Sequence, residues 1–600
     1  MSPFPLSGNT LLPPLIQDIL AMKLLLATLH SKQTHASLAL PCLAAACSRI
    51  EGLTIVLREY TVNERPEVVL PRLALEEADV IAFSCYIWNI EQTLKLAADL
   101  KLIQPHCFII LGGPEVSYGS HELMAAHGFI DCIVRGEGEE TCSELLRQLA
   151  DTSGGALSEE RLTGISGICF RSDDDIVTTR ERVAICNLDS IPSPFAAGLV
   201  ATSKPLVYYE TSRGCPFSCA FCLSSLEGNV RSFSLERIKS DLEILLGSGV
   251  ETIKLVDRTF NYDAARASHL WEFILEKNRK SRFHFEIAAD LLTDTNITLL
   301  RKVPADTFRF EIGVQSAAAG TLASVGRQSD LAKLFANVAR VRRETAVTLH
   351  LDLVAGLPGE DLPGFVRSLE SLLAAKPQHI QVEPLKVLKG TAMRKIAREQ
   401  GYAFSPYPPY RILKNRWLSF RDICRIEAAS QAVERFYNSG RFVITLELLA
   451  QRVSLAELFT DPALEAILEK YLGSKPAAVF AAFYRLAEKS LAGELLEDVV
   501  DTLRFDYCLA GYPGKVLPPF LAEPAGGEGP APPFSHPELA RLLAIPAGNR
   551  IRTFTANFRM DHSGTLPAAA GCLTTFVYFS SAEGESVRAL SIPQLQRQEE

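Results

Sequence analysis

Cys215, Cys219 and Cys222 bring three thiols into one short loop, Thr211-Ser-Arg-Gly-Cys-Pro-Phe-Ser-Cys-Ala-Phe-Cys222, and this constrains the fold more than anything else in the chain. A β-like run, Leu206–Glu210, leads into the loop, and Gly214 and Pro216 flank its first cysteine. Three thiolates suit a cubane [4Fe–4S] cluster, because they leave one of its four irons free to chelate a substrate or cofactor. A zinc site would want four N/S ligands, often in C-x2-C pairs, and no second pair lies nearby. With 14 cysteines in the chain, coincidence is the competing reading. The flanking glycine, proline and aromatics and the strand lead-in favour a built loop over scattered buried thiols.

The bulk numbers exclude several classes. At 600 residues the chain is long enough for several domains, each with its own core. It is 47% hydrophobic and 22% charged, ordinary for a globular protein, and its net charge of −9 argues against a nucleic-acid or anionic-membrane partner. No uninterrupted apolar run reaches the roughly 18 residues of a membrane span. Residues 1–21 are Pro-rich and lack Lys and Arg, so they read as an extension and not as a signal peptide. Dispersed cysteines without a secretion signal point to a reducing cytoplasm.

Residues 22–150 alternate apolar runs (Lys23–Thr28, Thr54–Tyr60, Val80–Cys85, Phe108–Gly112, Cys132–Val134) with helical stretches (Ala36–Ser48, Ile90–Leu102, Ser120–Ala126, Glu140–Ala150). That order predicts a doubly wound, flavodoxin-like α/β domain whose ligand lies beyond the carboxyl ends of the strands. Ser84, Gly112-Gly113-Pro-Glu115 and Gly136-Glu137-Gly138-Glu139 fall there. Residues 151–195 read as a hairpin linker, with strands at Ile165–Phe170 and Arg182–Cys186, serving as a spacer.

Strands near 206–211, 252–257, 283–287, 308–313, 347–354 and 379–384 predict a partial (β/α)6 barrel over 196–400, with its site at the strands' carboxyl ends. Asp257-Arg258-Thr259, Glu286, Glu311-Ile-Gly-Val-Gln315-Ser316, Arg327, Asp352 to Glu360 and Lys386 to Thr391 cluster at or after those ends. Residues 401–510 have helical periodicity (421–437, 444–452, 461–472, 477–498). Residues 511–600 read as a Pro/Gly-rich linker and a small tail, with strands at Arg552–Asn557 and Thr574–Phe579 and a frayed Gln596–Glu600. Tyr407-Pro-Pro-Tyr410 reads as a turn in preference to a pocket mouth. Cys424, Cys508 and Cys572 read as buried thiols.

The C-x3-C-x2-C loop and the ordered barrel elements resemble the radical S-adenosylmethionine (SAM) family. An α/β domain with GGPE and GEGE loops in front of such a barrel resembles the cobalamin-binding (B12) domain of its B12-dependent members, in particular those with a C-terminal domain of unknown function. The resemblance covers about residues 22–440 and includes Ser84-Cys-Tyr-Ile-Trp-Asn89, Asp257-Arg-Thr-Phe-Asn261 and Leu385-Lys-Val-Leu-Lys-Gly390. It implies that Cys215, Cys219 and Cys222 hold a [4Fe–4S] cluster whose open iron binds SAM. One electron then cleaves SAM to a 5′-deoxyadenosyl radical.

By the same resemblance Glu286 binds the SAM amino group, Gln315 and Asp352 the ribose hydroxyls, and Arg327 the carboxylate. Asp257 stands where a GGE element usually meets the amine. Ser84, Gly112, Gly113, Glu137 and Gly138 become cobalamin contacts. The usual D-x-H-x-x-G element is replaced by Thr28-Leu-His30-Ser-Lys-Gln33, so His30 and His35 are read as polar loop residues and no cobalt-ligating His is expected from this motif.

The implied activity is methyl transfer to an unactivated carbon of a small molecule or peptide, with an external donor such as flavodoxin or ferredoxin. The alternatives are a methylthiotransferase, a B12-dependent rearrangement or cyclisation, and a non-catalytic cobalamin- or redox-responsive binding protein. Methylthiolation fits poorly, since Cys42, Cys47, Cys85, Cys107, Cys132 and Cys142 lack a second-cluster pattern and the tail is not basic.

Overall fold

The computed structural model describes residues 22–591 apart from 152–158, 174, 472, 474, 515, 523–534, 547–548, 560–561, 563–571 and 582–583. The expected N-terminal extension, the central part of the Pro/Gly-rich linker and the last residues lie outside the described residues. The chain divides into two compact units, Met1–Tyr209 with Arg231–Ile253, and Glu210–Val230 with Lys254–Glu600.

In the first unit β1 (Met22–His30), β2 (Leu53–Thr61), β3 (Val80–Ser84), β4 (Phe108–Gly112) and β5 (Cys132–Val134) form a sheet in the order β2-β1-β3-β4-β5. All of these pairings are parallel. β1 and β3 to β5 are apolar at most positions because both faces are covered, whereas the edge strand β2 carries Thr54, Arg58 and Glu59. Leu25, Ala27 and Leu29 join Ile81, Phe83, Ile109 and Leu111 in one core, while Leu24 and Leu26 join Val80, Ala82 and Ile110 in the other. The order reverses between β1 and β3, which makes the carboxyl edge of that pair the topological switch point where such sheets bind ligands.

Two local expectations change. A helix at Pro66–Ala74 went unread, because Pro71 interrupts its interior pattern. The hairpin is not a spacer: β6 (Ile168–Ser172) pairs antiparallel with β5, and β7 (Asp175–Thr178) with β6, extending the sheet to seven strands. Its second strand is Asp175–Thr178 instead of Arg182–Cys186, since the acidic turn is tighter than the apolar spacing suggests.

The six barrel strands are Leu206–Tyr209, Thr252–Leu255, Arg282–Ile287, Phe308–Gln315, Thr348–Ala355 and His379–Pro384, ordered sequentially in one sheet. The third to sixth pair in parallel. One face carries Phe283, Phe285, Phe308 and Phe310 packed around Trp271, all nearly fully buried. The other face is polar at every second position: His284 and Glu286, Arg309 and Glu311, His350 and Asp352. Side-chain caps from Asp263, Thr293, Asp330 and Asp361 start the helices that follow these strands.

Beyond the barrel the chain is helical from Phe420 to Leu509, around a core of Phe436, Phe442, Phe480 and Phe483. The expected 477–498 helix is two, Pro476–Ser490 and Gly493–Leu509, broken where Gly493 adopts φ +58°. The tail forms a three-stranded antiparallel sheet, Arg552–Phe558, Cys572–Ser581 and Gly584–Ser591. Its third strand was not anticipated. Cys508 and Cys572 are buried, as expected, while Cys424 is half-buried. Among the described residues no helix is long and apolar enough to cross a membrane.

Candidate cluster and cofactor sites

The loop of Cys215, Cys219 and Cys222 follows the first barrel strand and is fixed from several sides. Gly214 turns the chain at φ +90°, where a Cβ would come within 2.9 Å of Asn229 O. The Ala220 amide donates to Val325 O at 2.8 Å, and Ala220 O accepts the Met393 amide at 2.8 Å. The backbone between Cys219 and Cys222 is thus clamped by two other barrel segments. Cys219 is buried, and Cys215 and Cys222 are half-buried. Burial raises the Cys219 thiol pKa, Arg327 opposes that rise, and Cys222 and Cys215 are near enough to add to it. The three sulfurs do not close to the spacing of ligands on a single ion.

Asp257 is fully buried and committed elsewhere. It accepts the Thr211 amide at 3.0 Å, the Ser212 hydroxyl at 2.5 Å and the Thr211 hydroxyl. Burial raises its pKa, and the Ser212 and Thr211 bonds work against that. It therefore fixes the lead-in to the cysteine loop, with both oxygens already accepting hydrogen bonds. Its neighbour Thr259 is the residue that reaches the loop, 3.5 Å from Cys215 Sγ.

Glu286, Gln315, Arg327 and Asp352 gather at the polar face's carboxyl end. Gln315 sits past a break in register with the next strand and adopts φ +68°. A Cβ at Gly313 would fall on the Gln315 amide, so that side chain would have to move. Arg327 donates to Gly313 O at 2.7 Å, lies 3.7 Å from Cys219 Sγ and stacks over Phe217 at 5.1 Å. Gln315 Oε1, Asp352 Oδ1 and Arg327 Nε are buried without a hydrogen-bond partner. Unmet buried polar atoms are costly, and three converging on one strand-end region fit a polar ligand such as SAM. His350 Nε2 lies 3.1 Å from Asp352 Oδ1, without the alignment of a hydrogen bond. Burial, with Glu311 adding, pushes the Asp352 pKa well up. Burial likewise raises Glu286 to about 7, against the pull of Arg258, which is 3.7 Å away.

One step down the strands lies a layer that motif reading missed: His284, Glu311 and His350 offer ligand atoms within 4.8 Å of one another. Lys254 Nζ sits 2.9 Å from Glu311 Oε2, so an ammonium already stands where a cation would. Burial lowers His350 to about 4 and lowers His284 too, so both imidazoles are neutral at pH 7. The signal was present in the strand alternation His284-x-Glu286 and Arg309-x-Glu311.

In the first unit the expected cobalamin contacts separate. Ser84 ends β3, and its carbonyl accepts Thr28 Oγ1 and Asn89 Nδ2, each at 3.1 Å. Gly113 is needed for packing: at φ +108°, a Cβ would lie 2.6 Å from Cys85 O. Gly138 starts a helix (Gly138–Ala150) against Leu43. Glu137 is spent on Arg231 at 2.9 Å and the Ile185 amide at 2.7 Å. Each of these three positions has a structural partner within the unit. Gly112 meets only ordinary contacts, and Gly136 has nothing within 4 Å, so the backbone beyond β4 and β5 is open to a large ligand.

At the switch point Tyr86 and Trp88 stack 4.4 Å apart at 5°, with Trp88 47% exposed and its Nε1 bonded to Leu29 O at 3.2 Å. An exposed planar ring there suits a macrocycle, and sequence reading quoted the Trp without giving it a role. His30 Nε2 lies 3.0 Å from Glu59, which also takes Lys204 at 2.7 Å. Burial would raise the Glu59 pKa, but His30 and Lys204 outweigh it and hold it at about 2.

Replacing Gly113 by Ala forces a positive φ and a backbone clash together. A loss of at least ~2 kcal/mol in stability is expected, read as a lower urea midpoint.

Comparison with known proteins matches three family profiles: "B12 binding domain" over residues 24–146, "Radical SAM superfamily" over 209–372 and "Protein of unknown function (DUF4080)" over 398–525. The chain is 27% identical to 2-(S-pantetheinyl)-carbapenam-3-carboxylate methyltransferase of Streptantibioticus cattleyicolor, over 56% of this chain and 50% of that one. It is 28% identical to hopanoid C-3 methylase of Methylococcus capsulatus, over 52% and 60% respectively. It therefore spans half to three-fifths of these relatives' lengths. Among solved structures, the cobalamin-dependent SAM radical enzyme OxsB shares the fold, with a TM-score of 0.56 at 16% identity over 82% of this chain and 79% of that one. Profiles, fold and cysteine loop agree: the chain carries a B12-binding domain, then a radical SAM domain, then a DUF4080 domain.

Proposed function

We propose that this chain is a cobalamin-dependent radical SAM enzyme that transfers a methyl group to an unactivated carbon. The observation that carries the reading is the cysteine loop lying beside three buried, unpartnered polar atoms at the strand ends, on a chain that also has a B12-type sheet. The two relatives named above, a methyltransferase and a methylase, support methylation over rearrangement or methylthiolation.

Cys215, Cys219 and Cys222 hold the cluster. Arg327 orients the SAM carboxylate and, through Gly313 O and Cys219, ties that contact to the loop. Gln315 Oε1 and Asp352 accept from the ribose hydroxyls. Glu286 accepts from the amino group. Asp257 is a positioning residue that holds Thr211 and Ser212 under the loop. The switch-point crevice at Ser84, with Tyr86, Trp88 and the open backbone at Gly112 and Gly136, holds cobalamin. When bound, these groups supply one-electron cleavage of SAM and a transferable methyl. The remaining requirements are an external one-electron donor and a small-molecule or peptide substrate.

The test is anaerobic reconstitution of the full chain with iron, sulfide and hydroxocobalamin, then reduction with SAM. 5′-Deoxyadenosine with retained cobalamin is expected, and S-adenosylhomocysteine with substrate present. A fully iron-loaded protein that yields neither product would overturn the reading.

A pH dependence follows from Glu286. Its raised pKa means the free protein holds that proton up to about 7, while SAM needs the carboxylate as acceptor. SAM affinity should therefore rise with pH and level off above about 7, falling on the order of tenfold per unit below it. Glu286→Gln should flatten that slope in equilibrium dialysis.

A further inference from the structure

Arg394 plays no part in the cluster or SAM sites described above, yet its environment is unusual. It lies in the helix Met393–Glu399 that follows the sixth barrel strand. Its guanidinium lies against two aromatic rings, 5.2 Å from the Phe404 centroid and 4.9 Å from that of Tyr410. Nε and Nη2 are both buried, and among the described residues neither has a hydrogen-bond partner. No carboxylate pairs with this cation among those residues. Arg394 as a whole is half-buried, but two buried donors left unmet are costly, and folded chains rarely accept them.

Geometry says what would meet them. Nε and Nη2 form one edge of the planar guanidinium, and their two N–H bonds run parallel at the spacing of two oxygens on one carbon or phosphorus. The aromatic rings hold the plane by cation–π contact and leave the edge as the donor surface. Tyr410 is kept in place by backbone bonds on both sides: its amide donates to Tyr407 O at 2.8 Å and its carbonyl accepts the Val387 amide at 2.9 Å. It holds φ +57°, a conformation that its surroundings must enforce. The Tyr407–Tyr410 segment is thus a turn, as its sequence suggests, and it also supplies one of the rings against the guanidinium. Lys389 adds positive charge 5.6 Å from the Tyr410 ring. The residue before Arg394 donates its amide to Ala220 O inside the cysteine loop, so this fork stands one residue from the cluster-binding backbone.

We propose that Arg394, packed against Phe404 and Tyr410, anchors a carboxylate or phosphate group of the substrate beside the cluster loop. This rests on the reading of the barrel as the reaction site. It adds the substrate's class: a molecule with an oxyanion gripped by a two-pronged donor, at a distance from the carbon that reacts.

The test uses the full, iron-loaded chain at constant ionic strength, with malonate and inorganic phosphate as separate probes. Melting temperature is followed against probe concentration. A saturable rise is expected in the native protein, with malonate if the site takes carboxylates and with phosphate if it takes phosphates. Arg394→Gln should weaken the apparent affinity at least tenfold, and its iron content reports whether the loop is intact. Arg394→Lys keeps the charge without the fork and should also weaken it, so it decides the matter if the Gln variant fails to load iron. No saturable response to either probe, an equal response in Arg394→Gln, or full binding by Arg394→Lys would each overturn the proposal. SAM cleavage by the native protein without probes tests the enzyme reading separately, so the two can fail independently.

Discussion

Cys219→Ala is expected to lower iron content sharply after reconstitution and to cut 5′-deoxyadenosine formation by at least ~100-fold. The argument runs through position as well as ligand count. Cys219 is the most buried of the three thiols and the one that Arg327 approaches. Its removal leaves two half-buried sulfurs and an unbalanced guanidinium in a loop whose backbone is still clamped at Ala220. The fold should survive, because the clamps are backbone bonds from Val325 and Met393. Near-native circular dichroism with lost iron would support the assignment. Native-like iron with full SAM cleavage would refute it.

Arg327→Met is expected to have the second-largest effect. The arginine makes three contacts at once: Gly313 O at 2.7 Å, Cys219 Sγ at 3.7 Å and the Phe217 face at 5.1 Å. Methionine keeps much of the apolar stem and removes the charge. Truncating one partner of a buried charged contact costs about 3 kcal/mol, or on the order of 100-fold in SAM affinity. Equilibrium dialysis of the iron-loaded protein against SAM gives the number. A change under about threefold would mean that the SAM carboxylate is held elsewhere.

Much of this was legible because the informative residues report on their own local structure. The cysteine loop and the barrel strands declare themselves through spacing and alternation, and five of the first unit's strands were placed within two residues of where they lie. What stayed hidden depends on partners distant in sequence. Glu137 and Asp257 sit at the strand ends where ligands bind, but Arg231 and the Thr211-Ser212 pair consume them. Gly113 looks like a ligand cradle and is a contact with Cys85. His284, Glu311 and His350 come from three strands and share no motif, so only the register brings them together. Arg394 is one arginine among many until the chain folds Phe404 and Tyr410 onto it.

The hairpin after the first α/β domain also decides where that domain ends as a folding unit. β5 is three residues long, and β6 pairs along it by Cys132↔Phe170, Ile133↔Cys169 and Val134↔Ile168. Phe170 and Ile168 are fully buried in one core and Cys169 in the other. A fragment stopped at Ala150, where helical periodicity fades, would lose those side chains and bare the outer amides and carbonyls of a short apolar strand. Such an edge recruits other strands, so the fragment would self-associate where the longer piece does not. The sheet of the first unit therefore runs at least to Thr178, and any attempt to transplant it must carry the hairpin along.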